Sequence, residues 1–132
     1  MEKRHLKHLN TLEKVAEAQP VTAGARIAAA IVIRNDIIAV GNNQKKTHPF
    51  QERFKKNDEA IYLHAETDCI KNALKHVDQD KLSKATLYVC RIKKDGTWGL
   101  AKPCKGCMKA IATFNIKNVI YSTDTTGKFE IL

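Results

Sequence analysis

The sequence predicts an α/β fold, a single sheet of about five strands with helices packed against it, and three observations carry that expectation. Apolar residues recur at helical spacing in three separate stretches, near residues 3–18, 60–77 and 104–114. Short runs rich in Ile, Val and Ala lie between and after them, as buried strands require. The resulting order is α-β-β-α-β-α-β with a short closing strand.

The first helix, over residues 3–18, places Leu6, Leu9, Leu12, Val15 and Ala16 on one side among lysines and glutamates. Gln19-Pro20 ends it, because a proline disfavours helical geometry in the residue before it. His5 and His8 flank this helix and read as solvated. Arg26 to Ile33 is a continuous apolar run, fit for a strand covered on both faces. Asn35-Asp36 supplies a turn, and Ile37 to Val40 is the hairpin partner. Residues 41–59 form a long polar loop, a length that inside a compact fold points to function. The second helix, from about Ala60 to Val77, is expected to bury Ala65, Ile70, Ala73, Leu74 and Val77. Ala85 to Ile92 is a strand, and Lys93 to Lys102 a loop with the only tryptophan, Trp98. Cys104 to Phe114 is the third helix and Lys117 to Ser122 the next strand. Thr123 to Gly127 then turns the chain into an antiparallel closing strand at about 128–132.

A chain of 132 residues is expected to form one domain, residues 1–132, large enough to bury a core without disulfide staples. Its longest apolar run, Ile27 to Ile33, falls far short of the roughly 20 residues a membrane span needs. The N-terminal residues lead into an amphipathic pattern rather than the apolar segment of a signal peptide. The expected location is therefore cytoplasmic, where thiols stay reduced, and the four cysteines read as metal ligands or core residues before disulfides. The formal net charge of +9 favours anionic partners, nucleotides or nucleic acid, without choosing between them.

Two short segments carry the chemistry. His64-Ala65-Glu66 opens the second helix and Pro103-Cys104-Lys105-Gly106-Cys107 the third. A Cys-x-x-Cys at a helix start lets two thiolates reach one ion, and the nearby amide dipoles lower the thiol pKa. His64 makes a third ligand. Three protein ligands leave a tetrahedral zinc one open position for a water, which the ion acidifies to near neutral pH. Glu66, two residues past the histidine, suits a proton shuttle between water, base and leaving ammonia. The competing reading is a structural zinc site closed by Cys69 or Cys90. Both lie among apolar positions and are more simply core cysteines, and a structural site gives no role to Glu66.

His-x-Glu followed by Pro-Cys-x-x-Cys resembles the signature of the zinc-dependent nucleoside and nucleotide deaminases. The resemblance covers about residues 25–122 and implies a cytidine deaminase-like, three-layer α-β-α fold with a mixed sheet. It implies that His64, Cys104 and Cys107 bind Zn²⁺, that Glu66 is the acid/base, and that the backbone N–H groups of Ala65 and Cys104 border the reacting centre. Gly41-Asn42-Asn43 looks like the family's Gly-x-Asn, which assigns Asn43 to substrate binding. Free-nucleoside enzymes of the family extend that motif to a carboxylate that holds a ribose hydroxyl. Lys45 stands at that place here and suits a phosphate better.

The Cys-Lys-Gly-Cys-Met-Lys segment resembles the deoxycytidylate and tRNA adenosine deaminase branch, whereas the antiparallel closing strand resembles the cytidine deaminase branch. His48 and Phe50, in the loop beside the pocket, are candidates for stacking on the base or meeting a phosphate. For His48 an ordinary loop histidine is an equal alternative. Trp98 is a candidate for the pocket wall or for stacking on a single strand, set against a cover for the sheet edge or a subunit contact. The resulting expectation is a deaminase of a cytosine nucleotide, deoxycytidylate first. The alternatives are a deaminase acting on a base in RNA or single-stranded DNA, and a non-catalytic zinc-stabilised binding module. The resemblance also implies a homo-oligomer.

Overall fold

The structure, a computed structural model, describes residues 2–19, 26–43 and 64–132. Helix α1 spans Glu2–Glu17, followed by strands β1 (Arg26–Ile33) and β2 (Asp36–Asn42). Helix α2 spans Ala65–Ala73, and a 3₁₀ turn over Gln79–Lys84 leads into β3 (Thr86–Ile92). The two-residue strand β4 (Trp98–Gly99), helix α3 (Lys105–Thr113), β5 (Asn118–Ser122) and β6 (Phe129–Ile131) complete the chain.

The strands form one mixed sheet in the order β2-β1-β3-β5-β6, with β4 paired to β3 off that path. Strands β3 and β5 run parallel and every other pair is antiparallel, the closing β5–β6 pair included. Strand β1 shows why the sheet is covered twice. Ala29 and Ile31 point into the core under α2 and α3, while Ala28, Ala30 and Val32 point into a second core under α1. Successive side chains of a strand face opposite ways, so an unbroken apolar run is what a sheet between two helical layers demands. The three-layer α-β-α architecture follows.

Several expectations need adjustment. Among the described residues the sheet has six strands rather than about five, because Trp98 and Gly99 pair with Ile92 and Arg91 in the segment expected to be a loop. The β1–β2 turn centres on Arg34 and Asn35, both at positive φ, one residue earlier than expected. Helix α2 ends at Ala73, and its expected start at residues 60–63 lies outside the described residues. His8 is not solvated. It is 4% exposed, and its Nε2 lies 2.9 Å from Asn35 Oδ1. His5, half-buried, shares a 2.6 Å hydrogen bond with the Tyr88 hydroxyl through Nδ1. Both histidines sit at helical spacing with Leu9 and Leu12, on the face that covers the sheet. Among the described residues, no helix is long and apolar enough to cross a membrane.

Candidate metal centre and active site

The site forms where the starts of α2 and α3 meet at one end of the sheet. His64 is the N-cap of α2 and Cys104 the N-cap of α3, both in extended backbone geometry with no side-chain cap. Their carbonyls accept the first helical bonds, from Asp68 N–H at 2.9 Å and Met108 N–H at 2.8 Å. Their side chains, spared from capping, turn toward each other instead. The Thr67 hydroxyl donates to the His64 carbonyl at 3.1 Å and steadies that end of α2.

His64 Nδ1 lies 3.3 Å from Cys107 Sγ and 3.5 Å from Cys104 Sγ, and the three donor atoms all fall within 4.8 Å of one another. A tetrahedral zinc bound at the usual Zn–N and Zn–S lengths separates such N and S ligands by about 3.5 Å. The donor set therefore fits zinc in both chemistry and spacing. Among the described residues this is the one His, Cys, Asp and Glu cluster able to hold a metal, and it contains three ligands. Cys69 and Cys90 are fully buried in the two separate cores, as core cysteines should be.

The protonation pattern of the metal-free site shows the same convergence. Hydrogen bonds from Cys107 and His64 pull the Cys104 thiol down to about 3, against partial burial. Cys107 moves far up, first because its S–H donates a hydrogen bond to Cys104 and then because it is buried. His64 is raised by its bond to Cys104. Two hydrogen-bond donors, Cys107 and His64, thus converge on the Cys104 thiolate.

Glu66, in the first turn of α2, is 6% exposed. Burial raises its pKa, and a hydrogen bond to Cys107 sets its carboxyl beside the donor cluster. Burial thus makes this carboxyl hold a proton more readily than an exposed one, a change in the direction an acid/base shuttle uses. Ala65, between the two, is fully buried.

Asn43 follows directly on β2. Its N–H donates to the Ile27 carbonyl at 3.2 Å, and its Oδ1 accepts the Ile27 N–H at 2.9 Å. That N–H partner fixes the orientation of the Asn43 amide. Lys45, His48 and Phe50 lie outside the described residues. Trp98 is fully buried beneath α1, where its indole N–H donates to Glu13 at 2.9 Å, so it is a core residue and not a pocket wall.

Two further residues shape the site: Gly41 of the Gly-x-Asn segment, and Asp68, which lies in no motif. Gly41 packs its bare Cα against α2: a Cβ there would stand 2.6 Å from the Ala65 carbonyl oxygen and 2.8 Å from Cys69 Cα. Asp68, 4% exposed, accepts the Asn42 N–H at 3.0 Å.

The family described as "Cytidine and deoxycytidylate deaminase zinc-binding region" matches residues 2–123. No curated protein matches by sequence comparison. The dCMP deaminase of the cyanophage S-TIM5 is 21% identical with a TM-score of 0.54, the match covering 96% of this chain and 85% of that one. The cytidine deaminase of Burkholderia pseudomallei is 14% identical with a TM-score of 0.62, over 94% and 87%. A structure of tRNA:A34 deaminases that carry out A-to-I editing is 24% identical with a TM-score of 0.52, over 92% and 76%. At such identities these likenesses establish the shared fold, and the family match over nearly the whole chain establishes the rest: the protein belongs to the cytidine and deoxycytidylate deaminase zinc-binding family.

Proposed function

We propose that the protein hydrolytically deaminates a cytosine nucleotide, deoxycytidylate first, to the uracil form. The observation that carries the reaction is the convergence of His64, Cys104 and Cys107 beside a buried Glu66. When bound by those three side chains, zinc supplies a Lewis acid that acidifies water near neutral pH. Glu66 takes a proton from the attacking water and passes it to the ring nitrogen of the base. It then takes the remaining proton of the added hydroxyl and hands it to the departing amine. The exocyclic C–N bond breaks, a carbonyl replaces it, and ammonia leaves. The N–H groups of Ala65 and Cys104, at two adjacent helix starts, bring partial positive charge to the reacting centre. Asn43 contacts the substrate.

The nucleotide is favoured over the free nucleoside by Lys45, a cation where nucleoside enzymes of the family carry a carboxylate, with His48 close behind it. A second reading, a base within RNA or single-stranded DNA, is favoured by the net charge of +9 and by exposed Lys102, Lys105 and Lys109 around Cys104. A homo-oligomer is part of the proposal, and a fully active monomer in sedimentation would remove it.

The test is a panel of cytosine and adenine nucleosides, nucleotides and oligonucleotides, assayed on wild type and Glu66→Ala with zinc content measured. Glu66→Ala is expected to lose about 10²- to 10⁴-fold in kcat while keeping its zinc. Activity retained in that variant refutes the mechanism. Cytidine converted as fast as its monophosphate refutes the preference for a phosphate.

A further inference from the structure

The helix that carries His64 and Glu66 is tied to the strand that leads to Asn43 by a set of contacts that use no catalytic group. The Cys69 thiol contacts the Ala39 carbonyl at 3.5 Å, Asn72 Nδ2 donates to the Val40 carbonyl at 2.8 Å, and Gly41 lies directly against Ala65 and Cys69. The last contact, between the Asn42 N–H and Asp68 Oδ2, differs in kind because its acceptor is a carboxylate buried to 4% exposure. Burying a carboxylate is costly unless its partners compensate. Asp68 has the Asn42 N–H on one oxygen and the Lys71 ammonium 3.2 Å from the other. The outward N–H of an edge strand ordinarily meets water, so a side-chain acceptor here has an effect that hydration lacks: it binds the strand at a fixed place on the helix. That place is one turn beyond His64, two residues beyond Glu66 and one residue before Asn43.

Asn42 is held from its other side as well. Gln19, just after α1, donates from Nε2 to Asn42 Oδ1 at 2.8 Å and to the Ile27 carbonyl at 3.0 Å. The Gly41-Asn42-Asn43 segment is thus clamped between Gln19, Ile27 and Asp68, and only Asp68 belongs to the helix with the metal ligand and the proton shuttle.

We propose that Asp68 is a positioning residue for deamination: by holding the Asn42 N–H it sets the distance between Asn43, which receives the substrate, and the His64–Glu66 end of α2. The proposal rests on the deaminase reading above. Positioning to a fraction of an ångström matters because a shift of about 1 Å between bound substrate and reacting groups can cost about 10²-fold in rate.

The test compares Asp68→Ala, which removes the acceptor, with Asp68→Asn, which keeps an acceptor oxygen, and Lys71→Gln, which removes only the ion-pair partner. The 132-residue, zinc-loaded protein is used, and amide hydrogen exchange at Asn42 is followed beside kcat, KM and zinc content. In the wild type the Asn42 amide should exchange at least about tenfold more slowly than an unstructured amide. Asp68→Ala should lose that protection and about 10- to 100-fold in kcat/KM, with zinc content unchanged. Asp68→Asn and Lys71→Gln should stay within about threefold of wild type, since a neutral acceptor still meets the N–H. Wild-type kinetics in Asp68→Ala, or equal losses in Asp68→Ala and Asp68→Asn, would overturn the proposal. If Asp68→Ala does not fold, unprotected exchange at Asn42 in the wild type overturns it, and protection kept in an active Asp68→Asn supports it. A wild type inert on the whole substrate panel refutes the deaminase reading instead, and exchange at Asn42 then reports separately whether the strap exists.

Discussion

The four cysteines of this chain sit in two kinds of surroundings. Cys69 and Cys90 are fully buried, and burial pushes the Cys90 thiol up to about 12 and Cys69 well above its ordinary value. Cys104 is exposed and held as a thiolate by its two neighbours. Because the thiolate is the reactive form, alkylation of the zinc-free folded protein should mark Cys104 first and leave Cys69 and Cys90 untouched until unfolding. Added zinc should protect Cys104 and Cys107 together. Timed labelling read by peptide mass spectrometry checks both statements, and labelling of Cys90 at the rate of Cys104 would contradict them. The same contrast explains why the ligands were legible in the sequence. Cys104 and Cys107 are set apart by Pro103 and by their three-residue spacing at a helix start, while Cys69 and Cys90 lie among apolar neighbours. Asp68 was not legible, since an acidic residue near a helix start is ordinary, and its partner is a backbone N–H 26 residues earlier.

At the scale of elements, α1 shows where pattern reading succeeds and where it stops. Leu9, Leu12 and Ala16 are buried as their spacing requires. His8 shares that face, and its satisfaction depends on Asn35 in a distant hairpin turn, a contact no local pattern reveals. Strand β4 was hidden for a different reason: two residues are too few to show alternation, and its pairing with β3 depends on the turn at Gly96, whose φ is +87°. Trp98, the largest fully buried side chain, faces Leu9, Leu12 and Ala16 through this small hairpin. Trp98→Ala should therefore lower stability by about 3–5 kcal/mol in denaturant unfolding, by leaving a cavity under α1. Trp98→Phe should cost less, by filling part of that cavity while leaving Glu13 without its indole donor. Because Trp98 lies on the face opposite α2 and α3, folded Trp98→Phe should keep wild-type KM. A large rise in KM would place the residue in the substrate pocket after all.

For the whole molecule, the open question is how far the substrate extends from the metal centre, and the net charge of +9 makes this measurable. The nucleotide reading asks for one phosphate near Lys45; the nucleic-acid reading asks for a track of phosphates along exposed lysines such as Lys102, Lys105 and Lys109. Single-stranded nucleic acid releases about 0.7 counterions for each phosphate neutralised, so a site using about six phosphates would lose several hundred-fold in affinity between about 50 and 200 mM salt. A mononucleotide carries no condensed counterion layer, and screening of one contact should change its affinity by only about two- to fivefold over the same range. We expect the smaller change for the substrate turned over best, measured as Kd on Glu66→Ala so that binding is read without turnover. A steep salt slope, with oligonucleotides bound far more tightly than deoxycytidylate, would transfer the assignment to a base within a strand. The same zinc ligands and the same Glu66 would then serve a substrate held mainly by the surface of the protein.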